Sequence, residues 1–189
     1  MKTIQRYSIF LLFLCCFSSC FHDSRPDYAA LLLNAERSIG TNPEAAWRSL
    51  DSISMPNLNL SQSDYMNYAL LHTAAAFLSG RELKNDTAIF EASRYYEKRN
   101  DMQHLAKATL FSACVLEEQN QTDDAVETYN KAFAIASQNA DSSVMARAKH
   151  YLGNLNYNSG YYDNALRYFS EANLLYGLNF QKRQSKGEK

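Results

Sequence analysis

Over most of the chain apolar residues return every three or four positions, the period of one helix face. No segment alternates apolar and polar residues between turn signals, as a half-buried strand would. From Asp27 the pattern divides into eight predicted helices. The first spans Asp27 to Ile39 and stops at Gly40. The second opens at Asn42-Pro43, a cap followed by proline at the first helical position, and ends near Ile53 before Met55-Pro56. Ser61 with Asp64 makes a variant capping box for the third, whose apolar face is Tyr65, Tyr68, Leu71, Ala75 and Leu78, and Gly80 closes it. The fourth begins near Asn85 or Asp86 and turns Ala88, Ala92 and Tyr95 inward. Asn100-Asp101 caps the fifth, with Leu105, Ala108, Ser112 and Leu116 on one face. Thr122 opens the sixth, with Asp123 and Asp124 in its first turn, where negative charge suits the helix dipole. The seventh runs from Asp141 or Ser142 to Ser159-Gly160, and the eighth follows it.

The sixth and eighth helices superpose on a shift of 40 residues: Ala125 falls on Ala165, Tyr129 on Phe169 and Ala132 on Ala172. The same shift places Ala113 on Gly153. A fixed period of helix pairs predicts an all-α fold, an α-solenoid of about four antiparallel pairs. It would occupy residues 27–180, with 181–189 a basic, disordered tail. Leu174, Leu175, Leu178 and Phe180 follow the last clear repeat with only that tail behind them, so this end is expected to fray or self-associate.

Leu152-Gly153, Gly160, Tyr162, Ala165, Phe169 and Ala172 resemble a tetratricopeptide repeat (TPR). Asn156 departs from that pattern, since an aromatic is usual there. The preceding pair is a weaker match, in which Ser112, Asn120 and Thr122 depart. The resemblance covers Asp27 to Tyr176, with a period longer than the family's usual 34 residues. It implies a right-handed superhelix whose concave face is lined by the first helix of each pair and takes up peptides or partner helices. By repeat alignment that groove would receive Lys107, Leu110, Cys114 and Glu117 from the fifth helix. Arg147, His150, Asn154 and Tyr157 would come from the seventh, and His72 would stand in register with Leu110 and His150. The set is mixed in charge and does not reproduce the clamp that some members use for a C-terminal carboxylate.

The segment Asn85-Asp86-Thr87-Ala88 through Tyr95-Tyr96-Glu97-Lys98, then Leu105-Ala106-Lys107-Ala108, is similar to exported bacterial TPR lipoproteins and sensor ectodomains. The N-terminus fits that setting. Lys2 and Arg6 precede an uncharged run from Tyr7 to Phe17, too short to span a bilayer, and Ser18-Ser19-Cys20 follows. Residues 1–19 read as a lipoprotein signal peptide, Cys20 as the lipidated residue and 20–26 as a linker. A plain secretory signal or an uncleaved anchor shares most of these features. The expected location is the bacterial cell envelope, lipid-anchored to a membrane.

Composition narrows the chemistry. The chain carries 19 basic and 20 acidic residues. Loss of residues 1–19 takes Lys2 and Arg6 and leaves 17 against 20, a net charge of −3 with no nucleic-acid footprint. Cys114 would then lack an intramolecular disulfide partner. His22, His72, His104 and His150 show no metal-ligand spacing, and no phosphate loop or nucleophile elbow occurs. Neither enzymatic activity nor a cofactor is expected. The reading is a membrane-tethered module binding a protein or peptide partner. A sensory ectodomain acting through a separate partner is the second reading, and an outer-membrane assembly lipoprotein the third.

Overall fold

A computed structural model describes residues 27–185. All regular structure among them is helical, in nine elements. These are α1 (Tyr28–Ser38), α2 (Pro43–Asp51), α3 (Pro56–Asn59), α4 (Gln62–Leu78), α5 (Ala88–Lys98), α6 (Met102–Glu118), α7 (Thr122–Gln138), α8 (Ser142–Asn158) and α9 (Tyr162–Ser185). Eight correspond to the expected helices. The ninth, α3, is a single turn entered through Met55 in the left-handed region (φ 46°) with Pro56 at its first position.

Two boundaries are corrected. The fourth helix starts at Ala88, and its core aromatic is Tyr96; Tyr95 is half-buried, with the Arg99 guanidinium 4.5 Å from its ring centre. Residues 181–185, expected in a disordered tail, continue α9. Residues 186–189 lie outside the described residues, as do the expected signal peptide, Cys20 and the linker.

Helix starts follow side-chain capping. Asp27, Asn42, Ser61, Asp101 and Asp141 each accept a backbone N–H from the first turn of the helix that follows. Each such cap stabilises its helix by about 1 kcal/mol. Helix ends are more regular still. Gly80, Asn100, Asn120, Ala140 and Gly160 all have positive φ and stand twenty residues apart. At each, the next residue's N–H donates five residues back: Arg81 to Ala76 (2.9 Å), Asp101 to Tyr96 (3.0 Å), Gln121 to Leu116 (2.9 Å), Asp141 to Ala136 (2.9 Å) and Tyr161 to Asn156 (2.8 Å). The left-handed residue donates three back, completing a Schellman turn each time. These turns give α4, α6, α7 and α8 the same length, 17 residues.

Equal spacing of these stops holds the 40-residue register. Each helix from α4 onward packs on its chain neighbours, and α6 also touches both α4 and α8. Ala92, Ala132 and Ala172 recur at one level of the second helices, all buried. One turn earlier stand Ile89, Tyr129 and Phe169. Opposite Phe169, a Cβ on Gly153 would lie 2.6 Å from the ring, so glycine is what admits the aromatic. Helix α6 is enclosed by α4, α5, α7 and α8, and every residue from Leu105 to Val115 is buried except Lys107, which is half-buried. Leu32, Ala35, Ala46, Leu50, Ile53, Leu71 and Ala75 form a second apolar cluster joining α1 and α2 to α4. Among the described residues no helix is long and apolar enough to cross a membrane.

Ala140 is the one Schellman position occupied by neither glycine nor asparagine, and its N–H to Ser137 bond is the longest of the five, at 3.4 Å. Its Cβ opposes the left-handed conformation. Ala140→Gly is expected to stabilise the domain by about 0.5–1 kcal/mol, after the extra entropy of glycine is subtracted. The measurement is the urea midpoint at unchanged m-value.

Candidate functional site: a cavity under the first helices

The 40-residue register aligns α4, α6 and α8 level by level. Asn67, Lys107 and Arg147 share one level, Leu70, Leu110 and His150 the next, and Ala74, Cys114 and Asn154 the one beyond. Along the first two levels these helices, together with the end of α1, enclose a cavity of about 150 Å³. Leu70, Ala74, Leu110, Phe111 and Val144 make its apolar floor, and Glu36, Asn67, His104, Lys107 and Arg147 its polar edge. His104 is engaged already: its Nδ1 lies 2.8 Å from the Asp101 carboxylate and its ring stacks on Tyr96. Lys107 and Arg147 form no ion pair among the described residues.

Of the eight groove residues expected from the sequence, Lys107, Leu110 and Arg147 line this cavity. The other five do not. Cys114 is buried, its thiol 3.4 Å from both the Leu110 carbonyl and the Tyr129 hydroxyl; burial pushes the thiol well above its ordinary range, so it stays protonated. Glu117 is half-buried and accepts the Tyr129 hydroxyl at 2.8 Å. Asn154 is half-buried away from the cavity. His150 is exposed and packs toward Tyr151 and Phe169, while Tyr157 packs edge-on to Tyr162 of α9. For Cys114 and Glu117 the cause is the covering of α6, which leaves only its first half facing the cavity.

His72 also misses the predicted level, because its repeat equivalents are Ser112 and Leu152. It stacks on Tyr68, with Nδ1 3.7 Å from Asp86, beside a separate open hollow of about 500 Å³. That hollow holds a structural pin. The Arg81 guanidinium lies 3.4 Å from the centre of the Trp47 ring and donates to both oxygens of Glu44, at 2.9 and 3.2 Å. The pin ties α2 to the loop after α4. Beyond it, the Leu83 N–H donates to Glu118 at 2.6 Å and the Gln119 amide donates to the Lys84 carbonyl at 2.9 Å, fixing this loop against α6.

Asn67, Glu36, Phe111 and Val144 were missing from the sequence reading. Asn67 was within its reach, since it is Lys107 less 40 residues. Glu36 was not, because α1 stands outside the regular register.

Glu117 carries a pH signature. Burial raises its carboxyl pKa above the ordinary 4.5; the Tyr129 hydrogen bond opposes this, and the charge of Glu118 adds to it. The folded chain therefore holds this proton more tightly than the unfolded chain. Stability falls as pH rises from 4.5 through the folded value. Glu117→Gln keeps the acceptor for Tyr129 and removes the charge. It is expected to melt higher than wild type at neutral pH, with the difference closing below pH 4.5, as followed by circular dichroism.

No protein-family model, curated protein or solved structure matches the chain.

Proposed function

We propose that this chain is a membrane-tethered helical-repeat module that binds a segment of a partner protein in the cavity beneath α4, α6 and α8. Its successive pairs are read as a tetratricopeptide-type α-solenoid with a 40-residue period, α4, α6 and α8 being the first helices of their pairs. The observation that carries the reading is the pair of cations Lys107 and Arg147, which form no ion pair among the described residues, over an apolar floor. An apolar hollow with a few convergent polar groups is the usual form of a binding site. The partner this suits presents an aliphatic side chain beside an acidic group. Lys107 and Arg147 would steer and orient it, and the floor would supply the apolar contact.

Tethering rests on the sequence from Lys2 to Cys20, through a lipid on the Cys20 thiol and amine. Mass spectrometry of the N-terminal peptide from membranes is expected to show an acylated Cys20. An unmodified Cys20 or an intact Met1 refutes the tether.

Photo-crosslinking tests the binding site. A benzophenone amino acid at Asn67 or Lys107 is expected to capture one common partner in cells, and the same residue at Asn130 on the outer face of α7 none. Reversing both charges, Lys107→Glu with Arg147→Glu, is expected to abolish capture from Asn67 without changing the helical spectrum. Equal capture from Asn130, or capture indifferent to charge reversal, overturns the assignment.

A further inference from the structure

Met55 and Leu58 break two rules of this fold at one place. Met55 enters α3 in the left-handed region (φ 46°), a conformation that its Cβ opposes. Its side chain is 66% exposed, so core packing does not offset the strain. Leu58 is 73% exposed, the highest value for any large apolar side chain among the described residues. No residue of α3 is buried, and α4 is the one helix it packs on among the described residues. The turn is nonetheless held shut. The Asn59 side-chain amide donates to the Ser54 carbonyl at 2.6 Å, and the Leu58 and Asn59 N–H groups donate to the Met55 carbonyl at 2.9 and 3.1 Å. The result is a fixed knob with two apolar side chains in solvent. Strain kept in this way points to a use for the segment that carries it.

The knob stands at the end of the first pair from which the N-terminal segment departs. Helices α1 and α2 pack on each other across the short turn at 39–42, and Tyr28, Leu32, Leu50 and Ile53 share one apolar cluster. The start of α1 therefore lies beside the end of α2, and α3 follows four residues later.

We infer that Met55 and Leu58 dip into the interface of the bilayer to which Cys20 is anchored, so that this end of the array faces the membrane. The inference rests on the lipid at Cys20 proposed above. Reach favours it first. The seven residues from Cys20 to Pro26 span at most about 25 Å. The lipid thus keeps the start of α1, and the knob beside it, close to the bilayer. Contact is then intramolecular, and a small patch suffices. Charge favours it next. No residue from Ser52 to Ser63 is charged, so entry into the headgroup region strands no ion. Shape decides between a lipid surface and a protein. Two side chains fall far short of the roughly 800 Å² that a standard protein interface takes from each partner. Apolar side chains on a protruding turn suit the headgroup boundary, into which apolar faces sink by about 5–10 Å.

The test uses the mature chain purified from membranes and reconstituted in phosphatidylcholine vesicles, with and without a spin-labelled lipid. Asn57, exposed between Pro56 and Leu58, is replaced by cysteine and labelled with a polarity-sensitive fluorophore. Cys114 is buried and the Cys20 thiol carries lipid, so the probe goes to the new thiol. Thr41→Cys is the control, in the turn at the other end of the 11-residue α1, about 16 Å away. Emission from the Asn57→Cys label is expected to shift to the blue on reconstitution and to be quenched by the spin-labelled lipid. Emission from the Thr41→Cys label is expected to do neither. Adding Met55→Gln and Leu58→Gln is expected to remove most of the quenching at position 57 with an unchanged helical spectrum. Four results overturn the contact: no quenching at position 57, equal quenching at both positions, a blue shift without quenching (the mark of a covering protein), or quenching indifferent to the paired substitution. Each leaves the tether standing, since the chain still floats with the vesicles. A wild type that takes the probe at Cys20 and fails to float refutes the tether, and the inference with it.

Discussion

Packing in this domain depends on the helices from α4 to α8 stopping at a fixed spacing of twenty residues. A helix turns through about 100° per residue, so a stop one position late would rotate everything that follows by that angle. The second-helix aromatic would then point away from the small residue that accommodates it. The left-handed residue at 80, 100, 120, 140 and 160 prevents this, since each closes its helix in a Schellman turn, and after Asn100 and Ala140 the capping aspartate follows at once. Gly80, Asn100, Asn120 and Gly160 are suited to that conformation; Ala140 adopts it because both neighbouring helices are already held by packing.

Inside that frame the repeats exchange volume between facing positions. Thr73, Ala113 and Gly153 occupy equivalent places on the first helices, while Ile89, Tyr129 and Phe169 do so on the second. From Thr73 with Ile89 to Ala113 with Tyr129 one column loses atoms as the other gains them, so packing density is kept while the pair changes. Tyr129 brings a hydroxyl into the core, and Cys114 and Glu117 lie within its reach. That polar knot draws both residues away from any partner. The central helix is thus devoted almost wholly to cohesion, and the cavity is confined to the N-terminal half of α6 and the helices either side.

Helix number and limits were legible because they rest on local chemistry: Asp27, Asn42, Ser61, Asp101 and Asp141 each cap a helix as their residue types predict. The cavity was legible in part. Its cations could be placed from the repeat, but periodicity on α6 carries little information, since a helix buried on nearly all sides has no polar face to set against an apolar one. Cys114 looked like a groove residue on a wheel and proved to be core. Tyr95 and Tyr96 show the same difficulty on a smaller scale: with two adjacent tyrosines, a late helix start decides which one turns inward. The turn at Met55 left no signal beyond Pro56. Met55 is unsuited to positive φ, and no local rule would have chosen it.

The pin at Trp47 has an optical consequence. Trp47 is the only tryptophan in the chain, and a guanidinium covers one face of its ring. Indole emission therefore reports on the junction of α2 with the loop after α4, at the N-terminal end of the stack, and is blind to α8 and α9. In arrays of stacked pairs cooperativity can break down along the length. Fluorescence and far-ultraviolet dichroism would then trace separate transitions, and the gap between the two curves would measure how strongly one end of the stack senses the other.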